Sequence, residues 1–364
     1  METEHRVHTG DSRSLDELKP NSVDLVVTSP PYPMIEMWDE LFCSLDPQIE
    51  AHLEAGDGRA AFEAMHGVLD AAWAELQGVL VDGGIACINV GDATRRVDGS
   101  FRRYQNHSRI VSAFDSLGFE PLPSILWRKP TNSATKFMGS GMLPPNAYPT
   151  LEHEHILVFR NGPDQRSFEP NADRRYSAAY FWEERNRWFS DLWTEITGRS
   201  QQLTGGESRE RSGAYPFVIP YRLISMYSVY GDTVLDPFWG TGTTTLAAMA
   251  AGRHSVGKEL DSGFRTAFDR RVDSIPSITD EVIGRRLSAH IDFVSDRRAD
   301  GETFEYEAEN YAFPVMTKQE RSIELYGIEE IEYGEQSYRL THTPVGADWQ
   351  TTVGFEAEET RKNR

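Results

Sequence analysis

The stretch "TVLDPFWGTGTTTLAAMAAGRHSVGKEL" (Thr233 to Leu260) restricts the fold more than any other part of the chain. A β-branched run ends at Asp236, Gly240 and Gly242 permit a tight turn, an Ala-rich helix follows, and "HSVGKEL" reads as a second strand. Two strands joined by a crossover helix bury their apolar faces as neighbours in a parallel sheet. Upstream the same alternation recurs. "HRVHTGD" reads as a strand, "SLDELKP" as a short helix and "SVDLVVTSPPY" as a strand. From residue 36 to about 80 the chain reads as helical, with Met65, Leu69, Trp73, Leu76 and Leu80 recurring every three or four residues. "GGIACINVGD" is a buried strand, "SRIVSAFDSLGF" a helix, and "PSILWRKP" and "EHILVFRNG" two further strands. The expectation is an α/β fold, a doubly wound and mostly parallel sheet. A final pair of strands with no long helix between them is expected to close one edge as an antiparallel hairpin.

Residues 1–275 therefore read as the main domain, with the irregular, aromatic-rich 161–213 as an insertion within it. Residues 276–364 read as a helix and an acidic, strand-like appendage. No apolar run approaches the ~20 residues a membrane span needs, and the charged start "METEHRVHTGDS" lacks a signal-peptide core. A soluble cytoplasmic protein is expected. Cys43 and Cys87 lack CxxC spacing and read as buried thiols, so no metal site is expected.

Two stretches carry chemistry. In "VLDPFWGTGTT" a strand ends at Asp236, and the glycines let the backbone approach a ligand at a helix start. Glu259 lies 23 residues beyond Asp236, the spacing of an acid that takes the hydroxyls of an adenosine ribose. The third glycine of the dinucleotide fingerprint is replaced by Thr245, which favours an adenosine ligand without phosphates. The other stretch, "VVTSPPYPMIEMW", runs a strand into two prolines that stiffen its end and fix where the Pro30 carbonyl points. That stiff turn presents Ser29 Oγ and the Pro30 carbonyl as acceptors and Tyr32 as a ring on which a planar group can stack.

Ser29-Pro30-Pro31-Tyr32 together with the Phe238-x-Gly240-x-Gly242 loop resembles the DNA amino-methyltransferases over about residues 7–265. The order of the motifs, catalytic first and cofactor loop last, resembles their permuted beta group. The resemblance implies a Rossmann-like methyltransferase fold and S-adenosyl-L-methionine as cofactor. It implies a cofactor site formed by Asp11, Asp236, Phe238, Gly240, Gly242, Thr243 and Glu259, with Asp11 on the adenine amine and Glu259 on the ribose. Ser29, Pro30, Pro31 and Tyr32 are implied as the catalytic set. Serine at the head of the motif is similar to the N4-cytosine enzymes, and "MWDELF", "GDATRR" and "KFMGSGMLP" resemble archaeal and bacterial N4-cytosine methylases of restriction–modification type. N6-adenine methylation stays open, since both side-chain types accept from an amine. A non-catalytic adenosine-binding regulator is the reading from another class, and intact Ser29 and Tyr32 argue against it. Cytosine C5 chemistry needs a nucleophilic thiolate in a Pro-Cys pair, which neither cysteine forms.

The net charge of −20 runs against nucleic-acid binding, and of 37 basic residues only six are Lys, an acid-rich, Lys-poor pattern that suits a salt-rich cytoplasm. Two local patches are basic. "ATRRVDGSFRRYQNHSR" holds Arg95, Arg96, Arg102, Arg103 and Arg109 against one acid, and "WRKPTNSATK" holds Arg128, Lys129 and Lys136 against none. With the exception of Arg109, these are the expected phosphate contacts on double-stranded DNA. Tyr176, Tyr180, Phe181, Trp182, Trp188 and Trp193 fall where the permuted group carries its target-recognition region, though a packed subdomain accounts for them equally well. The resemblance also leaves room for a companion restriction endonuclease and a homodimer.

Overall fold

The computed structural model describes residues 1–129, 138–196 and 215–349. Its strands are β1 (Glu2–Thr9), β2 (Val23–Thr28), β3 (Leu80–Val90), β4 (Ala93–Val97), β5 (Ser100–Tyr104), β6 (Phe119–Arg128), β7 (Met138–Gly139), β8 (Ala147–Tyr148), β9 (His153–Asn161), β10 (Leu192–Trp193), β11 (Thr233–Asp236), β12 (His254–Glu259), β13 (Tyr306–Glu307), β14 (Pro314–Val315), β15 (Leu325–Tyr333) and β16 (Ser337–Val345). Its α-helices are α1 (Asp39–Leu45), α2 (Pro47–Glu54), α3 (Gly58–Val79), α4 (Asn106–Ser116), α5 (Asp173–Ser177), α6 (Trp182–Trp188), α7 (Val218–Tyr227), α8 (Thr243–Ala250), α9 (Gly263–Val272) and α10 (Ile275–Ala299).

Among the described residues one ten-stranded sheet runs β10-β6-β9-β3-β2-β11-β12-β1-β16-β15. Its centre, β3-β2-β11-β12-β1, is parallel throughout. The reason is visible in β2: Leu25 and Val27 join the core on one face, while Val23 and Val26 join the core on the other. A strand buried on both faces needs helices on both, and only crossovers supply them. Helix α3 covers one face with Met65, Leu69, Trp73 and Leu76, while α7 and α8 cover the other with Leu223, Ile224 and Leu246. The expected antiparallel pair is β6 with β9. It is not a tight hairpin, because residues 129–152 intervene, and the short β10 lies outside it.

Three expectations change. "SLDELKP" forms turns rather than a helix. Pro20 ends the segment, and burying Leu15 fixes it in turns instead. The segment from residue 36 is divided, with Pro47 opening α2 and Gly58 opening α3 under the Asp57 cap. The acidic tail is also less separate than an appendage: β16 pairs antiparallel with β1, and β15 pairs with β16. The free edge of β1 would otherwise expose a row of unpaired backbone groups. Among the described residues no helix is long and apolar enough to cross a membrane.

Buried polar groups fasten the tail to the sheet. Thr3 Oγ1 lies 2.9 Å from His5 Nε2 and 2.8 Å from His342 Nε2, and His5 Nδ1 lies 2.8 Å from Ser255 Oγ. Burial, the N-terminal ammonium and His254 lower the His342 pKa to about 4, and burial lowers that of His5 well below its ordinary value. The unfolded chain therefore takes up these protons first. The stabilisation is fully present above pH ~6.5 and falls as the pH drops toward 4, by on the order of 3 kcal/mol for His342 alone. His342→Gln should accordingly show a shallower loss of melting temperature between pH 6.5 and 4.5 than the parent, measured by circular dichroism. Equal slopes would remove His342 from the acid transition.

Candidate active site

Parallel order places the carboxyl ends of β3, β2, β11, β12 and β1 side by side, and β9, being antiparallel to β3, starts at the same end. From these ends emerge Ser29–Tyr32 after β2, the Pro237–Gly242 loop after β11, Glu259 at the end of β12 and Asp11 beyond β1. Strands β2 and β11 are direct neighbours, Leu25 opposite Val234. Two motifs separated by two hundred residues of chain thus open into one crevice, the position in which doubly wound sheets bind ligands.

Within the first motif Pro30 is buried and Ser29 and Tyr32 are half-buried. The Tyr32 hydroxyl lies 3.0 Å from Ser29 Oγ, donates to Glu154 Oε2 at 3.0 Å and accepts from Asn89 Nδ2 at 2.9 Å. Asn89 Nδ2 also donates to Glu154 Oε2 at 2.7 Å, and Lys129 Nζ donates to Glu154 Oε1 at 2.6 Å. Burial, reinforced by the Glu154 carboxylate, raises the Tyr32 pKa well above its ordinary value, so the phenol stays protonated and can donate. Asn89 Oδ1 is buried without a hydrogen-bond partner among the described residues. Gly91 gives the ring its room, since an added Cβ would stand 3.1 Å from Tyr32 Cε2.

Asn89 and Glu154 are absent from the sequence reading. Each carried a signal: a polar residue near the carboxyl end of the apolar run "IACIN", and an acid leading into "HILVF".

The second motif is built around Asp236, which is almost fully buried. Its Oδ1 accepts from Thr28 Oγ1 at 2.6 Å and from the Phe238 amide at 3.1 Å, and its Oδ2 accepts from Thr244 Oγ1 at 2.6 Å. Burial raises its pKa to about 6 against these three bonds. Both oxygens are engaged, so Asp236 shapes the loop rather than offering it a free acceptor. Gly240 and Gly242 have φ of +51° and +73°. A Cβ on Gly242 would collide with the Phe268 ring, so glycine is required there. Glu259 Oε2 accepts from the Gly240 amide at 2.7 Å, and its Oε1 accepts from the Asp261 amide at 2.9 Å. Thr243 Oγ1 accepts from Arg271, and Phe238 packs edge-on against Trp73. Asp11 sits at the far side, paired with Arg13 at 2.6 Å.

The basic residues divide. Arg95 is paired with Asp39 at 2.6 Å, Arg103 with Asp92 at 2.6 Å and Arg128 with Glu152 at 3.5 Å, while Lys129 lies in the crevice on Glu154. Arg109 is held by Glu63 and Asp70. Among the described residues no ion pair engages Arg96 or Arg102, and Arg102 lies over the Tyr104 ring. Lys136 lies outside the described residues. Of the aromatic block, Phe181, Trp188 and Trp193 are buried core, which favours packing as their role. Asp92, His107 and His155 bring ligand-type atoms within 4.8 Å of one another, but Arg103 and His107 already occupy the Asp92 carboxylate.

Residues 23–269 match the family model for DNA methylases of the N6/N4 type. The chain belongs to this DNA methylase family. It is 49% identical over 328 residues to the type II methyltransferase M.MthZI of Methanothermobacter thermautotrophicus, covering 90% of this chain and 91% of that one. Identity to the type II methyltransferase M.MjaI of Methanocaldococcus jannaschii is 48% over 281 residues, covering 74% and 91%. Among solved structures, TTHA0409 of Thermus thermophilus in complex with S-adenosyl-L-methionine is 31% identical. Its TM-score is 0.58, with 75% of this chain and 95% of that one covered. The matched span of this methylase includes both motifs and Glu259.

A tyrosine ring alone would serve as a stacking platform, and phenylalanine would replace it. The hydroxyl's three partners change that expectation for the methylase. Tyr32→Phe leaves Glu154 and Ser29 each one partner short and should lower stability by about 1–3 kcal/mol, read as a drop in melting temperature. An unchanged melt would mean the hydroxyl's partners are already satisfied by water.

Proposed function

We propose that this DNA methyltransferase transfers a methyl group from S-adenosyl-L-methionine to the N4 amine of cytosine in duplex DNA. The observation that carries the reading is the adjacency of Ser29 and the Pro30 carbonyl, at the end of β2, to the glycine loop at the end of β11. The residues suit the cofactor. Glu259 and Asp11 are carboxylates suited to ribose hydroxyls and an adenine amine. Gly240 leaves its surroundings open, with only the Phe238 carbonyl near an added Cβ, at 3.9 Å. Bound there, the cofactor supplies an electrophilic methyl group on a sulfonium.

The chain's own residues do the rest. Ser29 Oγ and the Pro30 carbonyl accept from the two N–H groups of the extruded base and free its lone pair, a task of positioning and electrostatics that needs no covalent intermediate. The Tyr32 ring stacks on the base, Asn89 and Glu154 fix its hydroxyl and Lys129 holds Glu154, so the platform is held before the base arrives. Serine at the head of the motif supports cytosine over adenine. Residues 161–213 form the proposed target-recognition insertion, residues 197–213 of it outside the described residues. A restriction–modification or an orphan methylation system fits the reading equally.

Plasmid DNA methylated by the protein, digested to nucleosides and resolved by mass spectrometry, should contain N4-methylcytosine. N6-methyladenine as the sole product would refute the cytosine assignment and leave the fold and family standing. For the phosphate contacts, Arg96 and Arg102 are the expected pair, because the other arginines of the patch are neutralised by acids. Replacing both with Ala should weaken DNA binding across sequences and flatten its dependence on log salt by about two. A slope equal to the parent's would assign these two side chains to solvent.

A further inference from the structure

Beside the crevice stands an apolar point in an otherwise acidic molecule. The chain leaves the sheet at the end of β6 and returns at the start of β9, one residue before Glu154. On this excursion β7 and β8 form a small antiparallel hairpin. Its turn carries Met142 and Leu143, which are 83% and 70% exposed, the largest values for a large apolar side chain among the described residues. Exposing such groups forgoes the gain of removing apolar surface from water.

The turn is held in shape. The Ser140 amide donates to the Asn146 carbonyl at 2.9 Å, and Ser140 Oγ donates to the Leu143 carbonyl. Gly139 has φ of +72° and no room for a Cβ against the Asn146 carbonyl. Pro144 and Pro145 further restrict the backbone.

A second observation says what this point meets. Tyr148 of β8 stacks on Phe101 of β5, with centroids 5.4 Å apart and planes 12° apart. That stack joins the apolar hairpin to the β4–β5 hairpin, which carries Arg96 and Arg102, and β4 itself begins three residues after β3 ends at the crevice. Two exposed apolar side chains on a hairpin that stacks against one carrying guanidinium groups no described acid neutralises, both leaving the sheet at its crevice end, complement an anionic, stacked polymer. Apolar side chains of these types enter base steps and unstack them, and a target amine inside a duplex is reached only after its nucleotide swings out.

We propose that Met142 and Leu143 are a wedge that enters the duplex beside the target and fills the space the extruded base leaves. The inference rests on the reading of the protein as a methylase of duplex DNA. The wedge would lower the cost of holding the base in the crevice without contacting the base itself.

The test uses a duplex oligonucleotide carrying the mapped methylation site, with the target base either paired normally or opposite a mismatch. Met142→Ala with Leu143→Ala should lower kcat/KM on the paired duplex by about tenfold to a hundredfold. On the mismatched duplex, where unpairing is already done, the variant should come close to the parent. The salt dependence of binding and the melting temperature should stay unchanged, and the exchange Met142→Leu with Leu143→Met should keep activity on both duplexes. Equal losses on the two duplexes, or no loss on either, overturn the wedge. So does a parent dimer that the alanine variant converts to a monomer in sedimentation, since the point would then be a contact between copies. The target base is mapped before the duplexes are made, so an adenine product would overturn the cytosine assignment and leave the test of the wedge intact.

Discussion

Asp236 ends β11 almost without exposure, and its two oxygens hold Thr28 at the end of β2 and Thr244 in the first turn of α8. Burying a carboxylate costs several kcal/mol unless hydrogen bonds replace its water. Here three of them do, and its pKa still rises to about 6. The consequence is geometric. Thr28 immediately precedes Ser29, so one side chain fixes the Ser29–Tyr32 motif relative to the glycine loop that faces it. The permuted order of the motifs in the chain is immaterial to this. What matters is that β2 and β11 are neighbours with parallel carboxyl ends, and the Asp236 bonds close the seam between them.

Charge follows the same logic of neighbours. The arginine-rich stretch from residue 93 to 109 reads as strongly basic because only one acid lies within it. The fold then brings Asp39 from α1, Glu63 and Asp70 from α3, and Asp92 from the end of β3 against its arginines. Most of the patch is thereby neutralised. The unpaired basic surface is narrower than the sequence suggests, and its hairpin adjoins the β7–β8 hairpin through the Phe101–Tyr148 stack. Lys129, though half-exposed, is paired as well. Its ammonium balances Glu154, a buried acid that would be costly if left alone beside the Tyr32 hydroxyl.

The crevice combines rigidity with unspent hydrogen-bonding capacity. Prolines 30 and 31, the Asp236 seam and the Asn89–Glu154–Tyr32 net fix the backbone and the ring before any ligand binds. Ser29 Oγ, the Pro30 carbonyl and Asn89 Oδ1 remain as acceptors. Such preorganisation suits a reaction whose barrier lies in rehybridising an amine rather than in proton transfer to a strong base.

The sequence by itself determined the α/β class, the two motifs and their family. These depend on local facts: the β-branched, apolar run in "VDLVVT", the φ freedom of Gly240 and Gly242, the stiffness of two prolines, and the spacing of Glu259. The tertiary structure decided what each charged or polar group meets. Asn89 and Glu154 joined the site only when antiparallel pairing set β9 beside β3, a register no local pattern encodes. Asp236 became a brace because Thr28 and Thr244 approach it from elements 208 and 8 residues away. The acidic tail became part of the sheet because β1 had a free edge to cover. Periodicity reports which face of an element is buried, whereas hydrogen bonds and ion pairs act over about 3 Å between groups that only the packed chain brings together.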